Sequence, residues 1–225
     1  MENKNSLDFG FYNMDCMDGM RYFHDKFFDL AIVDPPYGIR VNHNIGRRSG
    51  ERRSIYKKVL WDNNPPDNTY FSELFRVSKN QIIWGANYFS MPPTKCFIVW
   101  RKPDISENVS FSMLEYAWTS FTSTSKEWIG TNHELDRIHP TQKPVALYEW
   151  LLNRFAKQGD KILDTHVGSA SSLIACHNLG FEYVGFEIDA DYYKSASERL
   201  EAVKNQMSIF KEFCEKEEKN DELEI

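Results

Sequence analysis

The sequence predicts an α/β fold, a seven-stranded and mostly parallel sheet with helices on both faces. Three observations carry that expectation. Short apolar runs rich in β-branched and aromatic residues alternate with longer stretches of helical period. Acids stand at the ends of several of those runs, as at Asp34, Asp164 and Glu187, which is where open sheets of this kind hold their ligands. Finally, 225 residues, 41% of them hydrophobic, suffice for one core and are too few for two full domains, so 1–225 reads as a single domain.

In chain order, residues 9–14 ("FGFYNM") read as a strand, 16–25 as a helix and 29–33 ("DLAIV") as a second strand. A helix over 67–78 leads to a strand at 80–84 ("NQIIW"), then strands at 95–101 ("KCFIVWR") and 115–121 ("EYAWTSF"). Pro144 suits the first turn of a helix over 144–157, whose apolar face is Val145, Leu147, Leu151, Leu152 and Phe155. A strand at 161–165 ("KILDT"), a helix at 170–179, a strand at 182–188 ("EYVGFEI") and a helix at 190–213 complete the alternation.

Net charge is −6, but the distribution is uneven. The tail 211–225 holds seven acids against three lysines. Residues 38–60 have no periodicity, and within them Arg40, Arg47, Arg48, Arg52, Arg53, Lys57 and Lys58 face a single acid, Glu51. Such a patch suits phosphates, although a solvated loop would carry the same composition. Cys16, Cys96, Cys176 and Cys214 are scattered without CxxC or ligand spacing, as buried or idle thiols would be, and the six histidines show no metal-ligand spacing. The segment "MENKNSLDFG" lacks the features of a signal peptide, and no apolar run is long enough to span a bilayer, so the expected setting is cytoplasmic and away from membranes.

Two stretches carry the chemistry. In "IVDPPYG" an apolar strand ends in Asp34, Pro35, Pro36 and Tyr37. In "KILDTHVGSASSLIACHNLG" a strand, a small-residue turn and a helix follow one another. Glu187 ends the next strand about twenty residues on, where an acid commonly accepts ribose hydroxyls. With one glycine in the turn, the second stretch alone also fits an ordinary strand–turn–helix junction. "DPPY", this junction and "HPTQKP" at 139–144 together resemble the amino-group DNA methyltransferases, which use S-adenosylmethionine to make N6-methyladenine or N4-methylcytosine. The order, with DPPY first and the cofactor junction late, is similar to the permuted beta class. The resemblance runs from about Met14 to about Leu200 and implies a Rossmann-like methyltransferase fold, S-adenosyl-L-methionine as cofactor and double-stranded DNA as partner.

By position, the resemblance assigns catalysis to Asp34, Pro35, Pro36 and Tyr37. It assigns cofactor binding to Asp15, Asp34, His139, Thr141, Lys143, Asp164, His166, Gly168, Ser169 and Glu187. Asp15 matches the acid that bonds the cofactor's adenine amine, and would also cap the helix that follows. Lys143 would pair with the cofactor carboxylate, although a surface lysine before Pro144 fits the sequence equally. Two departures from the family's DPFxGSGT loop matter, for His166 stands at an aromatic position and Ala170 at a glycine. If position 170 needs a positive φ, alanine there costs on the order of 1 kcal/mol or more.

The residue types at DPPY have mechanical reasons. An exocyclic amine is a poor nucleophile because its lone pair is delocalised into the ring. Asp34 can accept one N–H and the Pro35 carbonyl another, which localises that pair toward the methyl donor. The prolines fix φ and add no competing donors. Tyr37 offers a ring for a base that has left the duplex. Asp at the first position resembles the adenine enzymes more than the cytosine-N4 ones. Enzymes that methylate protein glutamine have Asn there and fit less well. The basic 38–60 loop is expected to clamp DNA, and the short 122–137 segment to supply any base reading, with a short or relaxed recognition site. A solitary bacterial or phage enzyme fits better than half of a restriction pair, and homodimers are common in the resembling group. A non-catalytic nucleic-acid-binding protein with a degenerate cofactor pocket is the competing class.

Overall fold

The computed structural model describes residues 7–39, 64–106, 112–131, 137–139 and 141–223. Its strands are β1 (Gly10–Asn13), β2 (Phe28–Val33), β3 (Ser78–Trp84), β4 (Phe97–Arg101), β5 (Leu114–Thr119), β6 (Lys126–Ile129), β7 (Lys161–Asp164) and β8 (Glu182–Glu187). Its helices are α1 (Cys16–Met20), α2 (Asn68–Val77), α3 (Val145–Phe155), α4 (Ser171–Leu179) and α5 (Ala190–Leu223). The strands form one sheet in the order β1-β8-β7-β2-β3-β5-β4-β6. All pairings are parallel except the two that β5 makes with β3 and β4.

The α/β class and the parallel bias are as the alternation predicts. The strand count is eight where seven were expected. The added strand, β6, lies inside the 122–137 segment expected to read bases. Its four residues alternate in a way too short to stand out, with Trp128 packing edge-on to Trp100 and Glu127 pairing with Arg101 at 2.8 Å.

Both faces of the sheet are buried. Met20, Tyr70, Phe71 and Leu74 from α1 and α2 pack on one face, against Ala31, Val33 and Ile83. Leu147, Tyr148, Leu151 and Leu152 of α3, with Ala175 and Cys176 of α4, cover Ile32, Ile82, Trp84 and Ile98 on the other. The helix bounds moved most at α1, which stops at Met20 rather than residue 25, and at α5, which runs ten residues past the expected 213. The segment after α1 turns through Lys26 at φ 57 and packs Phe23 and Phe27 together at 4.9 Å. The extension of α5 follows the Glu- and Lys-rich composition of the tail, both strong helix formers. Pro144 is the N-cap of α3, one place ahead of the first helical residue.

Ala170 is the N-cap of α4 at φ 63 and ψ 16, so the turn does demand the left-handed region. That conformation costs a non-glycine residue about 1–2 kcal/mol. Its methyl is wholly buried with Leu173, Ala196 and Leu200, where one buried methyl stabilises by about 0.8 kcal/mol. Ala170→Gly therefore exchanges strain for lost packing and a freer unfolded chain. Chemical denaturation is expected to show a change below about 1 kcal/mol; a gain of more than about 2 kcal/mol would mean the methyl adds nothing.

Candidate active site

Four acids gather at one edge of the sheet. Asp15 and Asp34 lie just past β1 and β2, while Glu187 and Asp164 end β8 and β7. Asn13 lies opposite Glu187, Asp164 opposite Gly185, and Leu163 opposite Ala31. The acids therefore line up in space as 15, 187, 164, 34, an order the chain does not have. β7 continues to β8 on one side and β2 to β3 on the other, so the order reverses between Asp164 and Asp34. That reversal is where an open α/β sheet leaves a crevice for ligands.

Asp34 is nearly enclosed, its side chain 18% exposed. Its Oδ1 accepts the Tyr37 hydroxyl at 2.5 Å, and its Oδ2 accepts the Lys143 ammonium at 2.6 Å. Lys143 is itself buried and reaches Glu115 Oε2 at 2.9 Å; Glu115 Oε1 in turn accepts from Lys102. Burial alone would raise the Glu115 carboxyl, but the two lysines outweigh it and hold it at about 2. Burial pushes the Tyr37 phenol well above its ordinary value, and the Asp34 and Glu115 charges add to this, so Tyr37 stays a neutral donor.

The Tyr37 ring lies flat on Tyr88, with centroids 5.0 Å apart and planes at 14°, and edge-on to Phe89 at 6.1 Å. Tyr88 belongs to a single 3-10 turn (Ala86–Tyr88) that follows β3, and it is 48% exposed. The seat for Tyr37 depends on Gly85. At φ +67, a Cβ there would come within 2.0 Å of the Tyr37 ring, so both backbone and contact require glycine.

The turn after β7 is built around Asp164. Its Oδ1 accepts the His166 amide at 3.0 Å and its Oδ2 the Ser172 hydroxyl, which ties the loop to α4. Burial raises its carboxyl to about 7. Gly168, at φ +55, donates its amide to Glu187 Oε2 at 2.9 Å, and the Asp189 amide donates to Oε1 at 2.9 Å. Each oxygen keeps a further lone pair for a ligand. A Cβ on Gly168 would approach nothing nearer than the His139 ring, at 3.9 Å, so the backbone there is open. The Ser169 carbonyl and the Ser171 hydroxyl are held by Arg199 of α5, at 2.8 and 2.9 Å. Asp15 caps α1 by accepting the Met17 amide on Oδ1 at 2.7 Å.

Two histidines wall this turn. Burial lowers His139 to about 3, with Lys143 and Arg137 adding to the effect, and lowers His166 to about 4 against the pull of Asp15. Both are neutral near pH 7. The His139 Nδ1 accepts the Thr141 amide at 3.3 Å, and its ring meets Tyr192 edge-on at 4.4 Å. His166 meets Tyr70 edge-on at 5.4 Å, and Tyr70 bonds Thr165 at 2.7 Å.

The structure thus brings Asp15, Asp34, Pro35, Pro36, Tyr37, His139, Thr141, Lys143, Asp164, His166, Gly168, Ser169 and Glu187 to one edge of the sheet. It changes two local expectations. Lys143 is 4% exposed, neither at the surface nor awaiting a partner, and rests on two protein carboxylates. The Tyr37 face meant for a base is covered by Tyr88. Arg40, Arg47, Arg48, Arg52, Arg53, Lys57 and Lys58 lie outside the described residues, as do 132–136 of the 122–137 segment. Sequence reasoning missed Glu115, Lys102, Gly85 and Tyr88. An acid opening an otherwise apolar strand was the available signal for Glu115, and a glycine directly after "QIIW" for Gly85. Among the described residues, no group of three His, Cys, Asp or Glu side chains is placed to hold a metal ion, and no helix is long and apolar enough to cross a membrane.

A family model described as DNA methylase matches residues 83–198, just over half of the chain. The putative methylase YubD of Escherichia coli (strain K12) is 25% identical, over 88% of this chain and 92% of that protein. The type II methyltransferase M2.DpnII of Streptococcus pneumoniae is 28% identical over 66% of this chain, which spans about half of that relative's length, 52%. The crystal structure of the M1.HpyAVI–SAM complex superposes with a TM-score of 0.55 at 20% identity, covering 84% of this chain and 98% of that one. At that identity the superposition speaks for the fold alone.

Proposed function

The chain belongs to the DNA methylase family of N6- and N4-amino methyltransferases, in the beta-class order, and from that premise we propose that it methylates N6 of a flipped-out adenine in DNA. The observation that carries this reading is Asp34, set beside the β7 turn with a hydroxyl on one oxygen and an ammonium on the other.

The family's cofactor is S-adenosylmethionine, which when bound supplies a methyl group on a positively charged sulfur. The residues at the sheet edge fit it. The open backbone at Gly168 admits a ligand against the turn, with the neutral rings of His139 and His166 as walls. Glu187, its orientation fixed by two amides, is suited to ribose hydroxyls, and Asp15, exposed and with Oδ2 uncommitted, to an adenine amine.

Asp34 and the Pro35 carbonyl act on the target base. Each accepts one N–H of the exocyclic amine, which localises the lone pair and compensates the positive charge that nitrogen gains as it attacks. A carboxylate has about four acceptor positions, so Tyr37 and Lys143 leave room for the amine. A base stacking on Tyr37 displaces Tyr88, whose half-exposed ring holds that face in the free protein. Removing the base from the duplex costs a few kcal/mol of stacking and pairing, which such contacts offset.

Adenine is favoured over cytosine by the aspartate at the first position of DPPY. The test is incubation with methyl-labelled cofactor and DNA, followed by separation of nucleosides. Label in N6-methyladenine is expected. Label in N4-methylcytosine overturns the choice of base, and unlabelled DNA overturns the reading.

Affinity for DNA falls to the basic loop. Reversing the charges of Arg47, Arg48, Arg52 and Arg53 is expected to weaken DNA binding and to flatten the log–log salt dependence by about 3 to 4, near 0.9 for each lost phosphate contact. An unchanged slope removes the loop from the interface.

A further inference from the structure

Glu115 belongs to no motif, yet it stands at the centre of the charge in the site. It is the second residue of β5, opposite Trp100 of β4, with Lys102 just beyond that strand. Four charges alternate, from Asp34 to Lys143 at 2.6 Å, Lys143 to Glu115 at 2.9 Å, and Glu115 to Lys102. The lysine side chains are 3% and 8% exposed, and each ammonium faces an indole, Lys143 over Trp84 at 5.3 Å and Lys102 over Trp100 at 4.5 Å.

A single lysine would balance Asp34. The second pair is an added desolvation cost that apolar side chains would avoid, so packing alone does not account for it. Its electrostatic effect on Asp34 does. With only Asp34 to neutralise, the Lys143 ammonium would take up most of that carboxylate's field. Glu115 divides the ammonium between two acids, and Lys102 restores neutrality at the far end.

We propose that Glu115 is a positioning residue that shares Lys143 with Asp34, so that Asp34 keeps enough negative potential for a sulfonium ligand and for the amine that turns positive as it reacts. The proposal rests on the methyltransferase reading above and names the device that sets the charge of that site. Glu115 acts through Lys143.

The test is a cycle of charge changes read by binding. S-adenosylmethionine carries a positive sulfur and S-adenosylhomocysteine a neutral one, so the ratio of their affinities reports local potential and cancels general damage to the pocket. Glu115→Gln keeps the shape and one of the two acceptor oxygens but leaves the cluster one charge positive. It is expected to weaken the sulfonium ligand about tenfold while changing the neutral one less than threefold. Lys102→Met leaves the cluster one charge negative and should shift the ratio the opposite way. The double variant is neutral again, carries no unmatched charge that would threaten folding, and should recover part of the sulfonium ligand's lost affinity without reaching the ratio of the unmodified chain. Its kcat should still be reduced, because Lys143 then rests on Asp34 alone. Ratios that do not move, that move in the same direction for both single variants, or a double variant with full kcat overturn the proposal. An unmodified chain that binds neither ligand overturns the methyltransferase reading and this inference with it, whereas binding with unmoved ratios overturns this inference alone.

Discussion

Replacing Asp34 by alanine is expected to lower kcat by at least about a thousandfold while the protein stays folded. The kinetic part follows from the work assigned to this carboxylate. Removing one preorganised electrostatic partner of a reacting group typically costs a factor of about 100 to 1,000, and here the same side chain also aims the amine. The structural part follows from its surroundings. Asp34 sits past the end of β2 with its side chain 18% exposed, and after its removal Lys143 still has Glu115 at 2.9 Å. The cluster is left one charge positive, but Lys143 keeps a carboxylate partner, so the loss of stability should stay at about 2 kcal/mol, below the cost of a buried charge left with no partner. Asp34→Asn keeps the shape and one acceptor oxygen but removes the charge, and should be nearly as slow. Initial rates with methyl-labelled cofactor, beside thermal melts of each variant, check both halves. Activity above about a tenth of normal in Asp34→Ala would rule out the proposed role.

Much of the site was legible in the sequence because its parts are local. An apolar run stopping at Asp34-Pro35-Pro36-Tyr37 and another stopping at Asp164 each announce a strand end, and an α/β sheet of this kind places strand ends on one edge. What the sequence could not supply was the pairing across distance. Lys143 and Asp34 are 109 residues apart, and Glu115 lies between them in the chain with no motif around it. Its role appears only when antiparallel β5 sets it beside Trp100 and the lysine that follows β4. Tyr88 has the same history, since a 3-10 turn after β3 places it on Tyr37 from another segment. The small strand β6 was hidden for another reason. Four residues hold two alternations at most, too few to separate from a loop, and what holds them is pairing with β4. The position of Ala170 was readable as a question, glycine or not, and the φ of 63 answered it.

Lys143→Met is expected to destabilise the fold far more than the loss of Asp34, by about 3–5 kcal/mol near pH 7. Methionine keeps most of the apolar stem that packs by Trp84, so the effect isolates the charge. Without the ammonium, two neighbouring carboxylates lose the cation they share, which is the uncompensated burial that costs most. The pH dependence fixes the cause. Burial favours a protonated Glu115, yet Lys143 and then Lys102 hold it down to about 2 from 4.5. A depressed carboxyl stabilises the fold fully above its unfolded value and loses that contribution as pH falls toward the folded one. The difference is worth about 3 kcal/mol, of which about 2 kcal/mol is gone by pH 3. In Lys143→Met only Lys102 still faces Glu115, so this variant has less to lose in acid. Urea unfolding at pH 7 and at pH 3 should therefore show a gap between the two proteins that narrows by roughly half in acid. A gap that stays constant with pH would assign the loss to packing around Trp84 rather than to the shared charge, and the ladder from Asp34 to Lys102 would then be a structural contact with no electrostatic hold on the site.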